Sequence, residues 1–315
     1  NRLPGHRLPD GRSIPGTFAD RAELRAVAKE VGRYGGIMQT VSDFREFDEE
    51  MALIADEARM ARGALFSSAV EIGTDRLDEK VSAMRAEGLN VTSVTVPRSG
   101  GGVGGLSTDN FWRTPSWIEL RKHDLAGRLA AIRNPESRAK LIEEVRAQGE
   151  EGIAGVARWF WMGDSERPCY TQEMQQSLVQ MASEAGEHPV ETWLRITDES
   201  DGKALFHMRG FNVDLSELER LITTDWAMPG LGDAGAHVSQ MIDSGWSTFI
   251  LSHWHRDSGV YSLAEAVRRI SQVPAGVLGL ADRGTLAVGK RADVNVFDVS
   301  RLEEKMPEIV NDFPF

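Results

Sequence analysis

The stretch 228–238, MPGLGDAGAHV, holds the residues whose types and spacing best suit chemistry. A short apolar approach ends in Gly232-Asp233, small residues follow, and His237 stands four positions on. A carboxylate at the end of a buried strand has two uses. It can cap the turn that follows, since Asp before Ala-Gly is ordinary turn chemistry. It can also reach into a pocket, where it moves a proton or binds a metal. His237 reads as a pocket-facing substrate contact or, equally, as a satisfied structural imidazole.

Other candidates stand apart from this stretch. Arg98 directly follows the strand candidate NVTSVTVP (90–97). A guanidinium there can clamp a substrate carboxylate through two parallel hydrogen bonds, or it can form a loop salt bridge. His253-Trp254-His255 is a His-x-His inside a helical pattern. Side chains two apart on a helix point different ways, which argues against a metal pair. His253 alone can pack near the strand-end face. His207 lies mid-strand and reads as a core or supporting residue, and His6, His123 and His188 read as surface residues. Cys169 is the single cysteine, in the loop ERPCYT. With no His beside it a nucleophile is disfavoured, and a disulfide framework or cysteine-rich zinc site is excluded.

Composition narrows the class. The chain has 315 residues, of which 41% are hydrophobic, enough for one large core or a core with a subdomain. The formal net charge of −12, without a Lys/Arg-rich run, argues against nucleic acid or an anionic membrane as partner. The apolar runs are too short for a membrane span, and no signal peptide is visible. A cytoplasmic protein with a small-molecule substrate is expected, and self-association stays open. The chain opens on Asn1 rather than Met and is expected to be a piece, or the ordered part, of a longer protein.

The elements that must position these residues follow a rhythm. After a turn-rich start (1–18), Asp20 caps a helix, with Glu23 three positions on. Strands are then predicted over 35–43, 64–72 and 90–97, with helices over 47–63 and 75–88 between them. The helix faces are Met51, Ile54 and Ala58, and Leu77, Val81 and Met84. RSGGGVGGL (98–106) reads as a flexible loop without phosphate-loop spacing. Further strands are predicted at 157–164, 203–211 and the opening stretch, and 282–298 reads as a turn, a Gly-punctuated link and a strand. Helices are predicted at 171–186, 189–200, 214–225 and 262–272, the last with Leu263, Val267 and Ile270 inward. Trp159, Phe160 and Trp161 are expected to fill core space. The count favours a (β/α)8 barrel, in which strand C-terminal ends carry catalysis.

Three segments resemble a known family: ADRAELRAVAKEVGRYGGI (19–37), GLGDAGAHV (230–238) and RRISQVPAGVLGLADRGTLAVGKRADVNVFD (268–298). They are similar to the amidohydrolase superfamily, in its N-acyl-D-amino-acid deacylase (D-aminoacylase-like) branch. The resemblance implies an α/β fold, a (β/α)8 TIM-like barrel incomplete at its N-terminus over 1–281. It carries an insertion near 98–200, and 282–315 begins a small β-sandwich subdomain. It implies a divalent metal, usually zinc, that polarises the scissile carbonyl and acidifies a bound water. Asp233 would then be metal ligand and general base, with Arg98, His237 and His253 as substrate contacts. The chain departs from the family pattern elsewhere. The family's His-x-His strand would precede Asn1. Where relatives carry metal-binding His, this chain offers Gln39-Thr40-Val41, Ser67 or Ser68, and NVTSVTVPRSG without His. Three functions follow: hydrolysis of an N-acyl amino acid or similar amide; hydrolysis of a cyclic amide or other C–N bond with one metal or none; or a non-catalytic binding barrel.

Overall fold

Asp20 begins the first helix as its place in the sequence demands. Its carboxylate accepts the Ala22 N–H at 2.6 Å, and the helix runs Arg21–Arg33. The structure, a computed structural model, describes residues 2–8, 10–108, 111–232 and 240–310. The chain divides into two units. One comprises Asn1–Pro97, Ser216–Leu231 and Trp246–Leu302; the other comprises Arg98–Leu215, Gly232–Gly245 and Glu303–Phe315. Seven strands form among the described residues: β1 (Met38–Thr40), β2 (Ala64–Ser67), β3 (Val91–Thr95), β4 (Gly100–Gly105), β5 (Trp159–Trp161), β6 (Leu205–Phe211) and β7 (Ala227–Pro229).

The first unit is built on a parallel sheet of order β1-β2-β3-β7. Its register sets Gln39 opposite Leu65, Leu65 opposite Thr92, and Val94 opposite Met228. Parallel neighbours need a crossover, and helices Phe47–Met60 and Thr74–Ala86 provide it. The faces read from the sequence are the buried ones: Met51, Ile54 and Ala58, then Leu77, Val81 and Met84. One side of the sheet sends Leu65, Val94 and Met228 against Val273 and Val277 of the helix Gln272–Leu278. On the other, Phe66 meets Phe44 edge-on at 5.9 Å. Each such side chain contributes about 1.5–3 kcal/mol. Parallel strands with helical crossovers are α/β architecture, consistent with the barrel type expected.

The second unit differs from expectation. The glycine run is not a flexible loop but a buried strand. β4, β6 and β5 form an antiparallel sheet with β6 in the middle. Glycine is required by proximity: a Cβ on Gly101 would run into the Met208 carbonyl oxygen, and one on Gly100 into the Phe211 ring. The strands within 157–164 and 203–211 therefore belong to this sheet rather than to the parallel one. Behind it lies an aromatic core in which Trp193 stacks on Phe206 at 5.7 Å and Trp117 donates to the Leu141 carbonyl at 3.0 Å. Phe160 is fully buried, and Trp159 and Trp161 pack against that core.

Three further differences have local causes. Ser262 caps the helix Leu263–Ile270 as predicted, accepting from Glu265 N–H at 3.2 Å. Yet Leu263 and Val267 are exposed, and Ala266 and Arg269 are buried. The helix is turned because the Arg269 guanidinium donates to the Thr224 and Ala227 carbonyls at 2.7 and 2.9 Å. The strand expected toward residue 298 does not form. Val294 and Val296 are 60% and 95% exposed, and an extended segment without a paired neighbour has no ladder to stabilise it. The helix around His253 opens with one α turn, Trp246–Phe249, and continues as a π-helix, Ile250–Asp257. No described helix is long and apolar enough to cross a membrane.

Gly101→Ala is expected to destabilise the protein by about 2 kcal/mol through this clash. The check is a lower urea midpoint at unchanged slope.

Candidate active site

The parallel strands end together at Thr40, Ser67, Thr95 and Pro229. Beyond those ends the chain offers hydroxyls. Ser68 N–H extends the ladder to the Val94 carbonyl at 3.0 Å, and its Oγ shares a 2.8 Å hydrogen bond with Ser93 Oγ. Ser42 Oγ and Ser67 Oγ are buried and carry no hydrogen bond. Gly230 N–H donates to the Thr95 carbonyl at 2.9 Å, which fixes the end of β7 beside the end of β3. Leu231 then takes φ 62°, a left-handed conformation that costs a branched residue energy and turns the chain out of the strand. Asp233 and His237 come next and lie outside the described residues.

The helix that carries His253 is anchored through the neighbouring residue. Trp254 Nε1–H donates to the Pro97 carbonyl at 2.5 Å, just past β3. π-Helical turns recur at functional sites. His253 is half-buried, its ring 4.7 Å from both Phe249 and Trp254. Burial holds its pKa below the ordinary 6.5, opposed by the nearby Asp257 carboxylate. His255 points elsewhere, its Nδ1 3.0 Å from the Tyr261 carbonyl, as the spacing required.

Arg98 belongs to the second unit and is fully buried. Its Nη1 donates to Asp243 Oδ1 at 3.1 Å, and its Nη2 to the Ile242 carbonyl at 2.5 Å and Glu304 Oε2 at 3.4 Å. The guanidinium lies 4.0 Å over the Tyr170 ring. The carboxylates it meets here are therefore the chain's own. Burial pushes the Glu304 carboxyl above its usual range, against the pull of Arg98. Cys169 is exposed, as its loop suggested. His188 is more than a surface residue: its Nδ1 accepts the Val190 N–H at 3.3 Å and caps the helix Pro189–Glu199.

Sequence reasoning passed over two buried polar groups. Glu57 is fully buried, and Thr40 Oγ1–H reaches both its oxygens at 2.8 Å. Burial raises its pKa despite that bond. The signal was present, since Glu57 follows the buried Ile54 by three, on the same helix face. Arg209 was also missed, although it stands two positions after His207 in an otherwise apolar strand.

Among the described residues no group of three or more His, Cys, Asp or Glu side chains is placed to hold a metal. The strand ends carry hydroxyls, which are weak ligands beside the imidazole, thiolate and carboxylate that hold zinc. The described donor set does not fit a metal centre by itself.

A sequence model of the amidohydrolase family matches residues 118–312, more than half of the chain. The chain belongs to the amidohydrolase family. The match includes two of the three segments that carry the resemblance, 230–238 and 268–298. N-acyl-D-glutamate deacylase from Alcaligenes xylosoxydans xylosoxydans is 37% identical over 94 residues, 28% of this chain and 18% of that protein. D-aminoacylase from the same organism is 34% identical over 90 residues, again 28% and 18%. Both similarities agree with the resemblance to the D-aminoacylase-like branch. A D-aminoacylase structure concerned with its binuclear metal centre aligns with 89% of this chain and 50% of its own, at 16% identity and a TM-score of 0.49. A second D-aminoacylase structure gives the same coverage with a TM-score of 0.46. The chain thus spans about half the length of those solved chains, and its sequence matches cover 18% of each deacylase.

A lowered His253 pKa sets a sign. Below about pH 6.5 the unfolded chain binds a proton that the folded site sheds, so stability falls as pH drops through that window. His253→Gln is expected to flatten this acid-side loss, measured as the urea midpoint against pH for both proteins.

Proposed function

We propose that this amidohydrolase chain forms part of an enzyme that hydrolyses the amide bond of an N-acyl amino acid or a similar small amide. The supporting observation is family membership together with sequence similarity to two deacylases of N-acyl-D-amino acids. The chain order supports it too, because Asp233 follows four residues after β7, whose end lies at the strand-end edge. That edge is where barrels of this type carry their catalytic groups. We read the parallel sheet as part of a (β/α)8 barrel and residues 282–315 as the start of a β-subdomain.

In this reading Asp233 is the general base. It takes a proton from the attacking water and returns it to the leaving amine. His253, held neutral by burial, faces substrate as a hydrogen-bonding group. His237 is a second substrate contact. Arg98 grips a substrate carboxylate only by exchanging its Asp243 or Glu304 partner for it. A divalent metal, expected to be zinc, would supply Lewis-acid activation of the carbonyl and water, with Asp233 as a ligand. The described residues do not complete that site. The hydroxyl-bearing strand ends favour a second reading, hydrolysis of a cyclic amide or other C–N bond with one metal or none.

Asp233→Asn is expected to lower kcat for an N-acyl-D-amino acid by at least about a hundredfold, the range for loss of a general base. Full turnover in that variant would end the first reading. Metal content per chain, compared with activity before and after chelation, separates the two hydrolytic readings.

A further inference from the structure

β6 has a second buried face, and it is polar. His207 and Arg209 stand two apart, so they leave the strand on the same side. They are 0% and 3% exposed. The register sets His207 between Val103 of β4 and Phe160 of β5. Tyr170 closes over it, the two rings edge-to-face at 5.5 Å. The Arg209 guanidinium lies 3.7 Å over Phe160. Its Nη1 donates to the Gln172 carbonyl at 2.6 Å, and its Nη2 to Gln172 Oε1 at 2.8 Å and the Tyr170 carbonyl at 3.3 Å.

All three acceptors are uncharged. Arg98, 4.0 Å over the Tyr170 ring, has Asp243 and Glu304. Among the described residues Arg209 has no carboxylate at all. A buried guanidinium without a counter-charge is costly, and burial, with Arg98 nearby and opposed by Cys169, lowers its pKa to about 10. The same spot holds further unmet capacity. Arg209 Nε, Arg98 Nε and both His207 ring nitrogens are buried without a hydrogen-bond partner. Guanidinium Nε can only donate, and a neutral imidazole donates through one nitrogen. Burial, with Arg98 and Arg209 nearby, keeps His207 neutral. The unmet groups are thus mainly donors beside an uncompensated positive charge.

We propose that His207 and Arg209 bind a small carboxylate on this buried face of the antiparallel sheet. A carboxylate brings the missing negative charge and two acceptor oxygens, one for Arg209 Nε–H and one for the imidazole N–H. It brings no donor that would lack a partner. A free carboxylate and the carboxyl group of an N-acyl amino acid share this chemistry. The assignment stands on Arg209 and His207 and does not depend on the hydrolytic reading.

The test uses the full chain with isotope-labelled histidine. Sodium acetate and N-acetylglycine are the probes, with sodium chloride at equal ionic strength as control. Acetate is expected to move the His207 ring-nitrogen resonances saturably and to raise Tm, because it binds the folded state. Arg209→Gln is expected to weaken acetate binding at least about tenfold, the worth of one charge-assisted hydrogen bond. It is also expected to raise stability without acetate, since an unpaired buried charge is gone. Should Arg209→Gln fail to fold, His207→Asn replaces it and is expected to lose the acetate-dependent rise in Tm. Binding of both probes supports the site as one that takes a substrate carboxyl group. Binding of acetate alone supports it as a site for a free carboxylate. A non-saturating response equal to that of chloride overturns the proposal, as does acetate binding unchanged in either folded variant.

Discussion

The pairing of β3 with β7 is the constraint on which the first unit depends. Val94 lies opposite Met228, and the ladder continues through Gly230 N–H to the Thr95 carbonyl. The two strands are separated by the whole of the excursion that builds β4, β5 and β6. Closing so long a loop costs little more entropy than closing a moderate one, because the cost grows only with the logarithm of length. The gain is local and repeated. Ladder bonds, Leu65, Val94 and Met228, and the covering Val273 and Val277 together hold β7 in place. Once β7 is held, Gly230 and Leu231 leave the sheet beside the end of β3.

The strand-end edge joins structure to chemistry. Trp254 ties a π-helical turn to the carbonyl of Pro97, and the turn carries His253 with it. Buried hydroxyls gather at those strand ends.

The second unit places cost where the first places packing. β6 separates an aromatic core on one face from a polar layer on the other. Arg98 is charge-paired there with Asp243 and Glu304, while Asp243 also accepts the Gly101 N–H at 3.1 Å. The glycines of β4 permit that close approach. Arg209 and His207 share the layer without a counter-charge, and such an arrangement persists in folded proteins where a ligand or function compensates it.

The amino-acid pattern by itself determined the βα rhythm of residues 20–97, because helical and strand periods differ and each buried face was continuous. It also determined the caps at Asp20 and Ser262, which are local hydrogen bonds. It carried the family resemblance through residues 230–238 and 268–298. Asp233 and His237 were named from sequence and lie outside the described residues. Tertiary structure alone decided that the glycine run is a strand, since what matters is the Met208 carbonyl that a Cβ would meet. It alone decided which side of the helix Leu263–Ile270 is buried, because distant carbonyls claim Arg269. It alone decided that Arg98 has carboxylate partners and that Arg209, among the described residues, has none. Local sequence sets periodicity and caps; the charge that faces a buried group comes from residues far along the chain, and only folding brings them together.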